Sequence, residues 1–420
     1  MRLLTRIVLA AAVLLVAACT ASEPEGASAS VSEVRIGVLA PRSGPSRAAG
    51  IEAQSGAELA AALVNGQEGG PVALAGAGSE GLAGLGGAKL AIVAGDTKSS
   101  PDAGTAEADR LVAEKRVVGL VGAYDTAVTE AASQRTERLG IPFVNGDSPA
   151  GFLTERGLTW FFRTVPTDRM FGEAIYSTLQ QEKVRPKRIS MLYTSDAAGE
   201  SLHRVLHELA PEAAYDEHGM VKFARGKPNL VPELQKLRDE KKPEVLFLMT
   251  STASDGARVL KTMDAMGYRP PQIFIFGGGV SEPQVLQAAG TTGEGLYIST
   301  AWSPRIAGRS GIAKAVMDRY EQRFGRPMSG IAAETFTAVL VLAEAIDNAG
   351  SIDPQRVRAA LLNLDIPGRE TIMPWSGVRF DNSSHQNVAA NGVVEQEVGD
   401  DTFRVVFPGE LQQAQPSASS

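Results

Sequence analysis

Short apolar runs alternate along this chain with longer stretches whose apolar residues recur at helical spacing. The clearest instance is Arg116–Asp147. Val117–Val121 is apolar and rich in β-branched residues, as expected of a strand buried on both faces. Gly122 ends it, and Ala123–Thr126 makes a tight loop carrying a hydroxyl. Ala127–Leu139 has helical spacing up to a stop at Gly140. Ile141–Asn145 is the next strand. This is a βαβ unit, and such units bind ligands beyond the carboxyl ends of their strands. The loop before the helix also offers unpaired backbone N–H groups, which favour an anion.

The same alternation repeats on both sides. Val34–Leu39 reads as a strand, Ala40–Pro45 as a turn containing Ser43, and Ile51–Val64 as a helix. A strand at Lys89–Ala94 and a helix at Asp102–Ala113 follow, while glycine-rich Gly66–Gly87 reads as a surface insertion. Trp160–Pro166 is an extended aromatic run that reads as a crossover into a second lobe. There the strands are Arg188–Tyr193, Glu244–Met249, Gln272–Phe276 and Leu296–Thr300, with helices at Glu200–Ala210, Asn229–Glu240 and from Asp255 to Met266. Ala301–Pro304 reads as another crossing. Helices near Ile312–Phe324, Ile331–Asn348 and Pro354–Leu362 are assigned back to the first lobe. Val378–Phe380, Val393–Val398 and Phe403–Phe407 are assigned as strands to the second. Parallel strand order follows from the alternation, so the class is α/β with two doubly wound sheets.

The ends are read as separate from the fold. Arg2 and Arg6 precede an apolar run, Ile7–Ala18, too short to span a bilayer and typical of a signal peptide. Val16-Ala17-Ala18-Cys19 resembles a bacterial lipobox, in which the cysteine becomes the lipid-modified first residue. The chain has 1 cysteine, so neither a disulfide nor a thiolate metal site is open to it. Thr20–Ser32 reads as a flexible tether, and Gln412–Ser420 has the same character. The hydrophobic share of 44% supports packed cores rather than disorder. Aromatic residues make up only 6% and glycines number 44, which favours small residues at helix–sheet contacts. A net charge of −7 argues against a nucleic-acid partner.

Three stretches line up with one family. They are Val38-Leu39-Ala40-Pro41-Arg42-Ser43-Gly44-Pro45 before a helix; Val121-Gly122 through Gly140-Ile141-Pro142; and Leu153-Thr154-Glu155-Arg156-Gly157 with Phe162-Arg163-Thr164 and Asp168. Together they resemble the leucine/isoleucine/valine-binding type of periplasmic-binding protein, the substrate-binding component of ABC importers. The resemblance implies two doubly wound lobes joined by three hinge crossovers that close on a ligand. Residues 33–166 and 300–371 would form one lobe, 167–299 and 372–408 the other, with 409–420 a disordered tail. It also implies a non-enzymatic, monomeric lipoprotein outside the cytoplasm, anchored through Cys19 and delivering a small solute to a membrane permease, with no cofactor or metal. A sensor ectodomain of the same fold is the first rival reading, and a hydrolase on the same scaffold the second.

Carried over by position, the hydroxyl for a ligand carboxylate falls on Thr126, with Asp147 and Ser148 lining the same side. Ser43, Asp125, Asp196, Thr252, Gly278 and Trp302 complete the candidate ligand contacts. Bland roles compete with these. Thr126 suits a helix N-cap, Ser43 a turn, Asp196 a solvated turn and Trp302 hinge packing. Where amino-acid binders place a tyrosine and an acidic residue on the second lobe, this chain has Ala198 and Gly278. An unpaired buried ammonium is costly. Either Asp125, Asp147 or Asp196 meets an amine from another direction, or the ligand is an amide or a small organic or aromatic acid without one.

Two other patterns are set aside. Gly76–Gly81 matches dinucleotide-loop glycine spacing, but no strand precedes it and the glycines that follow make a poor helix. His203 and His207 share a helix face without the glutamate of the protease arrangement, and read as surface residues.

Overall fold

The computed structural model describes residues 31–68, 72–77, 80–181, 186–277, 295–308, 310–398, 402–413 and 416. The leader with Cys19, Gly278 and most of the last few residues lie outside that set. Two sheets organise the chain. The first contains β1 (Glu33–Ala40), β2 (Lys89–Asp96), β3 (Gly119–Gly122), β4 (Phe143–Asn145) and β5 (Phe161–Arg163) in the order β2-β1-β3-β4-β5, all pairs parallel. Its helices are α1 (Arg47–Val64), α2 (Pro101–Ala113), α3 (Thr126–Leu139) and the short α4 (Phe152–Glu155).

The second sheet contains β6 (Arg188–Thr194), β7 (Asp216–Phe223), β8 (Val245–Met249), β9 (Gln272–Phe276) and β10 (Leu296–Thr300), interleaved with α5 (Asp168–Gln180), α6 (Ala197–Glu212), α7 (Val231–Gln235) and α8 (Ala253–Ala265). The chain then returns through α9 (Pro304–Ala307), α10 (Gly311–Phe324), α11 (Gly330–Ala349) and α12 (Pro354–Leu362). A small ladder, β11 (Ile366–Pro367) with β12 (Gly377–Val378), precedes β13 (Val393–Glu397) and β14 (Phe403–Phe407). The second sheet has the order β14-β13-β10-β9-β8-β6-β7, parallel except for the antiparallel pairs at β13.

Each sheet is covered on both faces, which is why its central strands are mostly apolar. In the first, α1 and α10–α12 share one core with β1, while α2 and α3 share another with β3 and Phe143. The abundant small residues serve the contact between α1 and α11: a Cβ added to Gly56 would lie 2.1 Å from the Ala332 carbonyl oxygen, so only glycine permits that approach. In the second, α5 and α6 cover one face and α7 and α8 the other.

Several expectations need correction. Gly66–Gly87 is more than a surface insertion: Val72, Leu74, Ala77 and Leu82 are buried in the first core, and the Gly76 amide donates to Glu344 Oε2 of α11 at 2.6 Å. Asp216–Phe223 is a strand paired with β6, although its sequence is polar. The helix expected over Asn229–Glu240 is one turn of α7 followed by a π-type turn at Lys236–Lys241. Ile372, Met373, Trp375, Val378 and Phe380 pack in the first core, so the final crossing to the second sheet lies near residue 392 rather than 372. The expected loose tail starts later too: Gly409–Leu411 is a 3-10 turn and the Gln413 amide donates to Val405 at 2.7 Å.

Candidate functional site

The carboxyl ends of the two sheets face a common chamber of about 200 Å³. From the first sheet's side it is walled by Tyr124–Val128 at the start of α3, by Asp147, and by Gly330, Ile331 and Glu334 of α11. From the second come Phe171 and Asp168 of α5, Asp196–Ala198 at the start of α6, Arg225 after β7, Met249, Phe276 and Ser299. Two helix N-termini, those of α3 and α6, therefore open onto it, each at the end of a parallel strand. Apolar walls come mostly from the second side: Phe171, Leu202, Met249 and Phe276.

Arg225 reaches across the chamber from one side to the other. Its Nη2 donates to Asp125 Oδ1 at 2.8 Å and also to Ser46 Oγ, while Ser46 Oγ donates to the same Asp125 oxygen at 3.0 Å. Arg225 is held from behind. The next amide, Gly226 with φ +76°, donates to both oxygens of Asp255 at 3.1 and 3.2 Å. Asp255 is fixed in turn by Arg258 at 2.6 Å and Thr252 at 2.9 Å. A left-handed turn pinned to a buried carboxylate thus aims the guanidinium across the cleft.

The acidic residues of the chamber are unevenly satisfied. Asp147 accepts from Thr335 Oγ1 at 3.3 Å, and removal from bulk water pushes its carboxyl up to about 7. Asp168 is buried, and desolvation raises it to about 6, opposed by hydrogen bonding from Ser201 and the charges of Arg163 and Arg204. Asp196 caps α6 through the Gly199 amide at 3.1 Å. Asp125 Oδ2, Asp168 Oδ2, Asp196 Oδ2, Arg225 Nε and Ser299 Oγ are all buried without a hydrogen-bond partner in the protein. Buried polar atoms are seldom left so, and here five of them cluster at one chamber.

Among the residues singled out in the sequence, Asp125, Thr126, Asp147 and Asp196 line the chamber. Four others sit behind it. Ser43 donates to Asp96 Oδ2 at 2.7 Å and so serves its turn. Ser148 is buried and donates to the Tyr124 carbonyl at 2.7 Å, fixing the loop that carries Thr126. Thr252 caps α8 by accepting from the Asp255 amide at 3.1 Å. Trp302 is buried and donates from Nε1 to the Ile372 carbonyl at 3.0 Å, stitching two crossing segments together. Gly278 lies outside the described residues, while its neighbour Gly277 is on the wall. Sequence reasoning did not single out Arg225, Asp168 and Glu334 as candidate contacts, and they also line the chamber. The signal for Arg225 was its place directly after a strand in a parallel sheet, and that strand was itself unread. His203 stacks on Tyr193 and His207 bonds Glu217 at 2.7 Å; no group of three or more metal-ligating side chains occurs among the described residues.

A family model described as "Periplasmic binding protein" matches residues 33–400. A Leu/Ile/Val-binding protein homolog 7 from Brucella abortus (strain 2308) is 27% identical over 403 residues, covering 91% of this chain and 94% of that protein. Among solved structures, a leucine-binding protein from Thermotoga maritima superposes with a TM-score of 0.72 at 19% identity, covering 89% of this chain and 97% of that one. A solute-binding protein of an ABC transporter from R. palustris, in complex with benzoate, gives 0.73 at 17% identity, covering 92% and 98%. The described residues contain no helix long and apolar enough to cross a membrane. Fold, chamber and comparisons agree: the chain belongs to the periplasmic binding protein family.

Proposed function

We propose that this protein is the substrate-binding lipoprotein of an ABC importer, catching a small polar solute in the chamber between its two sheets and delivering it to a membrane permease. The observation that carries this reading is a chamber whose walls come from the carboxyl ends of both sheets, bridged by Arg225 and Asp125. A solute that touches both walls binds the closed form better than the open one, and so drives closure. The lobes are residues 33–166 with 300–391, and 167–299 with 392–408. The chain acts outside the cytoplasm as a monomer, held to the membrane by a lipid on Cys19. The chamber is small beside the roughly 300–1,000 Å³ of drug-sized sites, which suits a metabolite.

Related proteins bound to isoleucine, benzoate and 3,4-dihydroxybenzoic acid share the fold, so amino acids and aromatic acids are the first candidates to test. A thermal-shift screen of amino acids, amides and organic acids identifies the solute, because a ligand selective for the folded state raises the midpoint. Thr126→Ala is expected to weaken the best hit by about tenfold in calorimetry, as loss of one hydrogen bond to a charged group. Unchanged affinity removes Thr126 from the contact set. Chemical conversion of a bound compound would refute a binding-only role.

A further inference from the structure

We propose that the chamber is built for a small organic cation, a solute carrying more ammonium or guanidinium charge than carboxylate, gripped by Asp147, Asp168 and Asp125. The inference rests on the solute-binding reading above and specifies its ligand.

Charge on the walls is the first support. Among the described lining residues Asp125, Asp147, Asp168, Asp196 and Glu334 are acidic, and Arg225 alone is basic. Arg225 engages Asp125 through a single oxygen, which leaves Asp125 Oδ2 buried and unpartnered. The Asp125 side chain is only 8% exposed. Asp168, 3% exposed, likewise has Oδ2 without a partner. Carboxylate oxygens accept hydrogen bonds and cannot donate while ionised, so what completes them must present N–H or O–H groups. A benzoate-like anion would find Arg225 Nε and the two helix N-termini as donors, but would place its charge among five acidic side chains with a single basic one. Buried like charges of that kind are costly.

The positive groups near Asp168 do not remove this demand. Arg163 directs four side-chain hydrogen bonds to Gln386 Oε1, the Ser148 and Ala150 carbonyls and Thr154 Oγ1, and both it and Arg204 act on Asp168 by charge without an ion-pair contact. Asp147 has the Thr335 hydroxyl as its hydrogen-bond partner and no ion pair among the described residues. Between the acidic groups, Phe171, Met249 and Phe276 offer an apolar floor for methylene groups. The arrangement therefore fits an aliphatic stem with a cationic head, as in a diamine or a basic amino acid. The chain's net charge of −7 would also draw such a solute in.

Calorimetry on the mature chain with putrescine, L-arginine, L-isoleucine and benzoate tests this. At least one of the two cationic probes should bind, and bind at least tenfold more tightly than isoleucine or benzoate. Asp147→Asn should weaken that cation at least tenfold while leaving the circular-dichroism spectrum unchanged. Asp168→Asn should do the same; if it fails to fold, Asp147→Asn and a fall in affinity with added salt carry the test. Binding of isoleucine or benzoate in preference to both cations overturns the proposal and leaves the solute-binding function intact. Binding of none of the four, with none from the wider screen, overturns both. Full cation affinity in Asp147→Asn and Asp168→Asn also overturns the proposal.

Discussion

Two arginines of this molecule are tied to both halves of the story in opposite ways. Arg163 is fully buried, and its side-chain donors end on a glutamine oxygen, two carbonyls and a threonine hydroxyl. Its backbone also pairs with His385 and Asn387 on the last return of the chain, at 3.0 and 2.9 Å. Arg225 is a quarter exposed, makes its cross-cleft contacts through one nitrogen, and leaves Nε without a partner. The first arrangement suits segments that never separate. The second suits surfaces that part and meet again, because a partly solvated ion pair across a seam is weak enough to break. Charge alone does not tell a girder from a latch; the number of donors committed and the access of water do.

Removing the girder is the sharpest way to break the comparison. Arg163→Met retains bulk but orphans the Ser148 and Ala150 carbonyls and Gln386 Oε1. Each orphaned buried group costs about 1–3 kcal/mol, so a loss of at least about 3 kcal/mol is expected in denaturant unfolding. Burial lowers the Arg163 guanidinium to about 10, so it stays charged near neutral pH and its loss removes a cation from beside Asp168. A loss below about 1 kcal/mol would show that the return segment at residues 385–387 is held by something else.

A smaller effect comes from the chamber acids. Asp147 and Asp168 have carboxyls raised by burial to about 7 and about 6, from an ordinary value of 3.8. A carboxyl raised on folding is protonated in the native state while the unfolded chain has already released its proton. Stability therefore falls as pH rises from about 4, and levels off above the folded values. The unliganded protein should show its highest unfolding midpoint on the acidic side of this window. Asp147→Asn should flatten the decline between pH 4 and 7 and raise the midpoint at pH 8. A midpoint independent of pH over that range would mean that water reaches both carboxyls freely.

How much of this was readable in advance depends on where each residue's neighbours come from. β8 and β9 are buried on both faces and β1 is from Ile36 onward, so Val34–Leu39, Glu244–Met249 and Gln272–Phe276 announce themselves as largely apolar runs. β7 pairs only with β6 at the sheet edge, and its polar sequence gave no such sign. Thr126 and Asp125 were legible because a helix starting after a parallel strand places its first turn at the ligand edge. Ser43 and Ser148 were placed on loops near that edge, yet their hydroxyls turn inward to Asp96 and to the Tyr124 carbonyl. Those choices are made by atoms tens of residues away. The final crossing was misplaced for the same reason, since Trp375 and Phe380 join a core whose other members lie hundreds of residues earlier.

The latch gives the smallest change in stability and the most telling one in behaviour. Arg225→Ala removes the contacts to Asp125 and Ser46 at a partly solvated seam, so unfolding should shift by about 1 kcal/mol or less. The halves lose the ionic bridge across the chamber, while Arg305–Glu395 beside the crossings remains, and the unliganded protein should spend more time open. Small-angle scattering should report a larger radius of gyration for the unliganded variant, converging on that of the parent when ligand is saturating. Dissociation of the solute should quicken more than association slows, since lost contacts in a closed state act chiefly on the off-rate. Arg225→Lys supplies the control: it keeps the charge but carries it on an ammonium at the end of a shorter, differently shaped side chain, so it should fall between the two. If Arg225→Ala scatters like the parent and releases ligand at the parent's rate, closure is set by the hinge segments and their buried network, and the difference between the two arginines is one of exposure alone.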